Sequence, residues 1–331
     1  MNKNLSRRDF IKTSSGVAAV AAVSFSMPGL MAAEKAGQST AKARAVTATK
    51  GPFNRVGGPK LKTSLNAFSF NDALMPGKDG SAPRMSLFDV LDFCAEQNFD
   101  AIDPTGYYFP GYPNVPSDDY IAKFKKRAFE LGLDISGTGI RNNFASPDKA
   151  ARAKDVQLAK NWIEAAAKLG APVIRVFAGQ EQPGADRTEV SKWMAEDIRT
   201  CAEHGKKFGV LVGLQNHGDF LKTAEQTIEV IQMVNSEWAG VILDTGNYPT
   251  DPYAEIAAVL PYTVNFQVKE SPVSKDSPVK LDLDRFVKIV RDAGYRGYLP
   301  IETLTVKGVP YEPLKVVPRF HAEVKAAFER T

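Results

Sequence analysis

The sequence predicts an α/β protein, a single (β/α)8 or TIM barrel, on three observations. Short runs rich in Val, Ile, Leu and Phe alternate with longer stretches of helical spacing, eight such runs can be counted, and several helices close on glycine just before the next run. Glu130-Leu131-Gly132, Lys168-Leu169-Gly170 and Lys207-Phe208-Gly209 carry the third pattern. There the glycine supplies the left-handed conformation that ends a helix, and the apolar run behind it reads as a strand buried on both faces, as a parallel sheet requires.

In order, the predicted strands are Leu61 to Phe70, Phe99 to Asp103, Leu133 to Thr138, Val173 to Ala178, Val210 to Gln215, Gly240 to Asp244, Val264 to Val268 and Tyr298 to Thr303. Helix starts are marked between them. Ser86 with Asp89 and Thr223 with Gln226 have the spacing of capping boxes, and Pro147 and Pro252 stand where first-turn prolines belong. An open doubly wound sheet is the competing architecture, but no G-x-G-x-x-G follows any strand.

The N-terminus has a different composition. Ser6-Arg7-Arg8-Asp9-Phe10-Ile11-Lys12 precedes a weakly apolar run from Gly16 to Leu30, too short and too rich in Ala, Gly and Ser to span a bilayer. The pattern resembles the bacterial twin-arginine export signal, which implies the export machinery as a partner and a periplasmic or otherwise exported location. Residues 1–33 are assigned to this signal, 34–60 to a flexible leader of Ala, Lys, Thr and Gly, and 61–331 to the barrel. Of the formal charge of +4, +3 falls in the signal, leaving a nearly neutral mature chain that has no call for nucleic acid or membrane as a partner. Cys94 and Cys201 sit in helical patterns as small core residues, a disulfide between them is left open, and so is an oligomer.

A barrel places its chemistry where strands run out into the following loops, so the polar residues that break each apolar run are the candidates. They are Asn66, Asp103, Arg141, Arg175, Gln215 with Asn216 and His217, Asp244 with Asn247, Gln267 with Lys269, and Glu302. Glu302 lies in the apolar run Tyr298 to Leu304, where a buried carboxylate has to be paired, metal-bound or catalytic. Asp244-Thr245-Gly246-Asn247 reads equally as an Asx turn. Of the three histidines, His217 follows a buried strand on the catalytic face, whereas His204 and His321 lie on helical stretches and read as exposed or structural. Tyr107, Tyr108, Phe109 and Tyr112, interleaved with Gly and Pro, read either as a packed loop or as a platform for a sugar ring.

Four phrases at these strand ends resemble the xylose-isomerase-like barrels of the sugar phosphate isomerase/epimerase superfamily. They are Leu214-Gln215-Asn216-His217-Gly218-Asp219-Phe220, Leu243-Asp244-Thr245-Gly246-Asn247, Val268-Lys269-Glu270 and Pro300-Ile301-Glu302, and the likeness extends from Leu61 to Thr331. The resemblance implies one divalent cation, Mn2+ or Mg2+, on the positions of Gln215, Asp244, Gln267 and Glu302, where the family has Glu, Asp, His and Glu. Two of the four therefore depart from the pattern. Amide oxygens still suit a hard cation, while zinc is disfavoured by the lack of His and Cys.

The same resemblance implies a small carbohydrate substrate; of the strand-end and loop candidates, Asn66, Asp103, Tyr107, Arg141, Arg175, Asn216 and Asn247 are expected to bind it, and Glu302, His217 and Lys269 to be catalytic. Gln215 cannot carry a proton. Chemistry needing one base, Glu302, is therefore favoured over two-base epimerisation unless His217 or Lys269 supplies the second proton. The expected function is an exported, metal-assisted sugar isomerase or epimerase that takes a proton from beside a carbonyl. The alternatives are a keto-glycoside lyase or hydrolase, or a carbohydrate-binding barrel without catalysis. A phosphodiesterase acting at abasic DNA, known among relatives of this barrel, needs more metal ligands than three histidines provide.

Overall fold

A computed structural model describes residues 53–331 apart from 218–219, 249–250, 272–278, 306–307 and 309. The twin-arginine segment, most of the leader and the Gly218-Asp219 pair thus lie outside the described residues. The strands are β1 (Lys60–Asn66), β2 (Ala101–Asp103), β3 (Asp134–Ile135), β4 (Thr138–Gly139), β5 (Val173–Phe177), β6 (Leu211–Gln215), β7 (Ala239–Asp244), β8 (Thr263–Lys269) and β9 (Arg296–Glu302). The helices between and after them are α1 (Asn71–Leu74), α2 (Leu87–Glu96), α3 (Asp118–Glu130), α4 (Lys149–Leu169), α5 (Arg187–Phe208), α6 (Ala224–Val234), α7 (Pro252–Val259), α8 (Leu283–Asp292) and α9 (Pro313–Arg330).

All strand pairings are parallel, in the order β3-β2-β1-β9-β8-β7-β6-β5-β4. The two ends of that order, β3 and β4, are halves of one predicted strand joined through Ser136-Gly137. β3 bonds to β2 and β4 bonds to β5. The third stave thus bends from one neighbour to the other, and the eight staves form the ring of a (β/α)8 barrel.

Each predicted strand is present, with shifts that have local causes. The first stops at Asn66 because the Asn66 side-chain Oδ1 accepts from the Phe68 N–H and caps a 3-10 turn over Ala67–Phe70. Ser86 and Asp89 form the full reciprocal capping box. At α6, Thr223 caps Gln226, but the Gln226 side chain accepts from the Lys222 N–H and so closes one residue earlier than predicted. Pro252 occupies the first turn of α7; Pro147 does not enter α4, whose cap is Asp148. Gly170 and Gly209 take φ of +85° and +69° at their helix ends, as the glycine pattern requires.

Residues 53–60, read from sequence as the end of a flexible leader, pack across the strand starts. The Arg296 guanidinium donates to the Gly57 and Gly58 carbonyls at 2.9 and 2.6 Å, and Arg55 lies 5.0 Å over the Tyr295 ring and donates to the Thr263 carbonyl. Short apolar content hid this because the anchors are arginines bonded to backbone. Cys94 and Cys201 are free, buried thiols in the helical shell.

His321 of α9 is 3 % exposed and stacks on Phe99 at 3.7 Å. Burial lowers its pKa to about 4, so the folded protein holds it neutral while the unfolded chain, near the ordinary value of 6.5, takes up a proton. Stability from this group is complete above about pH 6.5 and is lost as pH falls toward 4, by up to about 3 kcal/mol. His321→Phe is expected to shrink the drop in urea midpoint between neutral and acid pH; an unchanged drop would place the acid sensitivity elsewhere.

Candidate active site

In a strand, side chains alternate between faces, so residues two apart share one face. Asn265, Gln267 and Lys269 of β8 face the barrel interior, while Val264, Phe266 and Val268 face the helices; Phe266 packs on Phe286 of α8 at 5.9 Å between ring centres. Interior positions below the rim are small or apolar. A Cβ on Gly213 would lie 2.5 Å from Ile242 and 3.2 Å from Val173, so glycine there lets two branched side chains fill the barrel centre. Above that layer the interior is polar.

Five residues from four adjacent strands meet at the carboxyl end. The Lys269 ammonium donates to Oδ2 of Asp244 at 2.9 Å and to Oε1 of Glu302 at 2.7 Å. The Gln215 amide nitrogen donates to the same Asp244 oxygen at 2.6 Å and to Oε1 of Gln267 at 2.7 Å. Asp244 is wholly buried and Glu302 is 5 % exposed. Burial opposes the charge on Lys269, but Asp244 and Glu302 together outweigh it and hold the ammonium pKa above the usual lysine value. Glu302 and Lys269, two of the three residues expected from sequence to be catalytic, are thus in direct contact.

The loop after β7 builds this arrangement. The Gly246 N–H donates to Oδ1 of Asp244 at 2.9 Å, which is the Asx turn foreseen as the bland reading, and it fixes the carboxylate instead of replacing its role. Thr245 accepts from the Lys269 N–H at 2.9 Å. Thr245 and Asn265 were missed from sequence. The inward alternation of Asn265, Gln267 and Lys269 was the signal for Asn265, whereas Thr245 looked like an ordinary turn residue.

A second group lines the opposite arc of the mouth. Arg175 donates to the Ile140 carbonyl at 3.0 Å and to the Tyr107 hydroxyl at 3.3 Å, and Arg141 lies 4.2 Å over the Tyr107 ring. A Cβ on Gly139 would come within 2.7 Å of the Arg175 guanidinium, so that glycine makes room for it. Asp103 is 5 % exposed; burial raises its pKa to about 7, with Arg175 pulling down and Glu302 pushing up. The platform reading of the aromatic loop survives for Tyr107 and Tyr112, which are half-buried. Tyr108 and Phe109 are core, and Phe109 stands edge-on to Trp162 at 5.7 Å.

Other predicted residues have structural duties. The Asn216 amide donates to the Asp244 carbonyl and accepts from the Asp244 N–H, at 2.9 and 2.8 Å, so it ties β6 to β7 and orients Asp244, where a contact to substrate was expected. Asn247 donates to the Asn216 carbonyl at 3.1 Å. The Asn66 side-chain Oδ1 accepts from the Phe68 N–H and the Thr105 hydroxyl. His217 is half-buried at the rim with its ring edge-on to Phe177 at 5.1 Å.

A divalent cation on Gln215, Asp244, Gln267 and Glu302 needs four convergent oxygens. The arrangement does not fit one. Lys269 stands between the two carboxylates, and Gln215 presents its nitrogen because its oxygen would face the Asp244 carboxylate. Among the described residues no three His, Cys, Asp or Glu side chains converge as a metal site.

Known structures repeat this fold. L-ribulose 3-epimerase superposes with a TM-score of 0.67 at 18% identity over 82% of this chain and 95% of that one. D-psicose 3-epimerase gives 0.64 at 19% over 81% and 97%, and 3-keto-D-glucoside 4-epimerase from E. coli gives 0.63 at 14% over 81% and 99%. No curated protein matches the sequence. Residues 4–24 match the TAT (twin-arginine translocation) pathway signal sequence, which indicates export, and no described helix is long and apolar enough to cross a membrane. Residues 91–319 match the family described as xylose isomerase-like TIM barrel, and with its ring of strands and its rim of polar residues this chain belongs to that family.

Proposed function

We propose that the protein moves a proton at a carbon beside a carbonyl of a sugar or sugar derivative, with Glu302 as the base and Lys269 as the group that stabilises the oxyanion. The observation that carries this reading is the 2.7 Å pair of a buried carboxylate and an ammonium at the strand ends. A base needs a carboxylate held in place, and the enediolate formed when the proton leaves needs a positive donor at its oxygen. Lys269 supplies that donor. Gln215 cannot act as a base on the far face, but its Oε1 is buried with no hydrogen-bond partner among the described residues, so it suits a substrate hydroxyl. The names of the three structural neighbours above, each a sugar epimerase, support the substrate class.

The metal-assisted form, with Mn2+ or Mg2+ on Asp244 and Glu302, requires Lys269 to withdraw, and the proposed reaction runs without it. One base favours isomerisation on a single face. It also favours β-elimination from a keto-glycoside, the second reading, because loss of a leaving group needs no proton returned to the opposite face. Incubating the protein with ketohexoses and keto-glycosides and separating the products tests both. An isomer or epimer supports the first reading and a released aglycone the second. A folded chain that binds sugar and converts none leaves the carbohydrate-binding reading in their place.

Tyr107 lies under Arg141 and is bonded to Arg175, so its ring is held as a rigid face at the mouth. Tyr107→Leu is expected to raise KM about 5-fold through loss of roughly 1 kcal/mol of ring contact, with kcat little changed. A fall in kcat at constant KM would move Tyr107 from binding to chemistry.

A further inference from the structure

We infer that the Lys269 ammonium is the resident cation of this barrel, standing on Asp244 and Glu302 where a divalent ion is the expected occupant. The claim concerns what fills the site and can hold or fail whatever reaction the protein performs.

Three features support it. Both oxygens of Asp244 are engaged: Oδ1 accepts from the Gly246 N–H, and Oδ2, the oxygen turned to the cluster, accepts from both Gln215 at 2.6 Å and Lys269 at 2.9 Å. Two donors occupy the lone pairs of Oδ2, where an ion shared with Glu302 would sit. The path of the lysine is also built in. A Cβ on Gly246 would lie 2.6 Å from Cγ and 3.0 Å from Cβ of Lys269, so glycine in the Asp-Thr-Gly turn leaves the channel for its stem, while Thr245 fixes its backbone.

The third feature is charge. Two carboxylates face one ammonium, so the cluster carries about one negative charge, and a divalent ion added beside Lys269 would meet a like charge in a buried site. With amides at Gln215 and Gln267, no further anion on those strands compensates. A lysine delivers one positive charge and hydrogen-bond donors to an oxyanion, and it does so without a metal supply outside the cell.

The test uses the full chain, stripped with a chelator, then given excess Mn2+ and freed of unbound ion by gel filtration. Bound Mn per chain and the thermal midpoint are measured for wild type, Lys269→Met, Glu302→Gln and the double variant Lys269→Met/Glu302→Gln. Wild type is expected to retain no Mn and to melt at the same temperature with chelator or Mn2+. Lys269→Met is expected to melt lower and to recover in Mn2+, and the double variant is expected to lose that recovery. About one Mn per wild-type chain, lost in Glu302→Gln, overturns the inference. So does a folded Lys269→Met whose midpoint ignores Mn2+. If Lys269→Met does not fold, the wild-type measurement decides alone.

Discussion

Glu302→Gln is expected to lower kcat by about 100- to 10,000-fold, the usual worth of a positioned general base. The amide keeps the shape and the contact at the end of β9 but cannot take a proton. Lys269 retains Asp244 at 2.9 Å, so no buried charge is left unpaired and the variant stays folded. Folding is followed by circular dichroism and turnover by product formation from the best substrate. Activity within a few-fold of wild type, in a folded variant, would remove Glu302 from the chemistry.

Lys269→Met is expected to destabilise by about 3–5 kcal/mol, the cost of leaving a buried charge without its partner. Asp244 is 0 % exposed and Glu302 is 5 % exposed, so neither carboxylate can turn to water for solvation. At the size of this barrel such a loss lowers the melting temperature by on the order of 10 °C. Adding Glu302→Gln to the same chain removes one of the stranded charges and is expected to restore part of the loss, because residues in one network are not additive. A Lys269→Met protein as stable as wild type would show that the ammonium contributes nothing to the cluster.

Most of the fold was legible because a barrel writes its period into the sequence. Leu211–Gln215 and Ala239–Asp244 are apolar runs closed by a polar residue, Val173–Phe177 is an apolar run around Arg175, and the helices end on Gly170 and Gly209 where the chain must turn back. The bend of the third stave at Ser136-Gly137 was not legible, since nothing in Leu133 to Thr138 marks where pairing passes from β2 to β5. Residues 53–60 were misread for the related reason that arginine-to-backbone bonds leave no hydrophobic pattern.

For the site, the strand ends named Glu302, Asp244, Gln215, Gln267 and Lys269, and the structure brings these five into one hydrogen-bonded cluster. What sequence could not supply was direction. Whether Gln215 offers oxygen or nitrogen, and whether Lys269 points to solvent or to both carboxylates, depends on partners on neighbouring strands that lie far apart in sequence. The likeness to known barrels favoured a metal. The side-chain directions favour an ammonium instead.

The central claim, that Glu302 removes a proton from beside a carbonyl, is most directly tested by solvent exchange. Chelator-treated protein is incubated in D2O with ketoses and keto-glycosides and followed by proton NMR. Deuterium is predicted to enter the carbon next to the carbonyl with the wild-type chain and to fail to enter with Glu302→Gln. Exchange by Glu302→Gln at the wild-type rate, or no exchange by a folded wild-type chain in any sugar of either class, would contradict it.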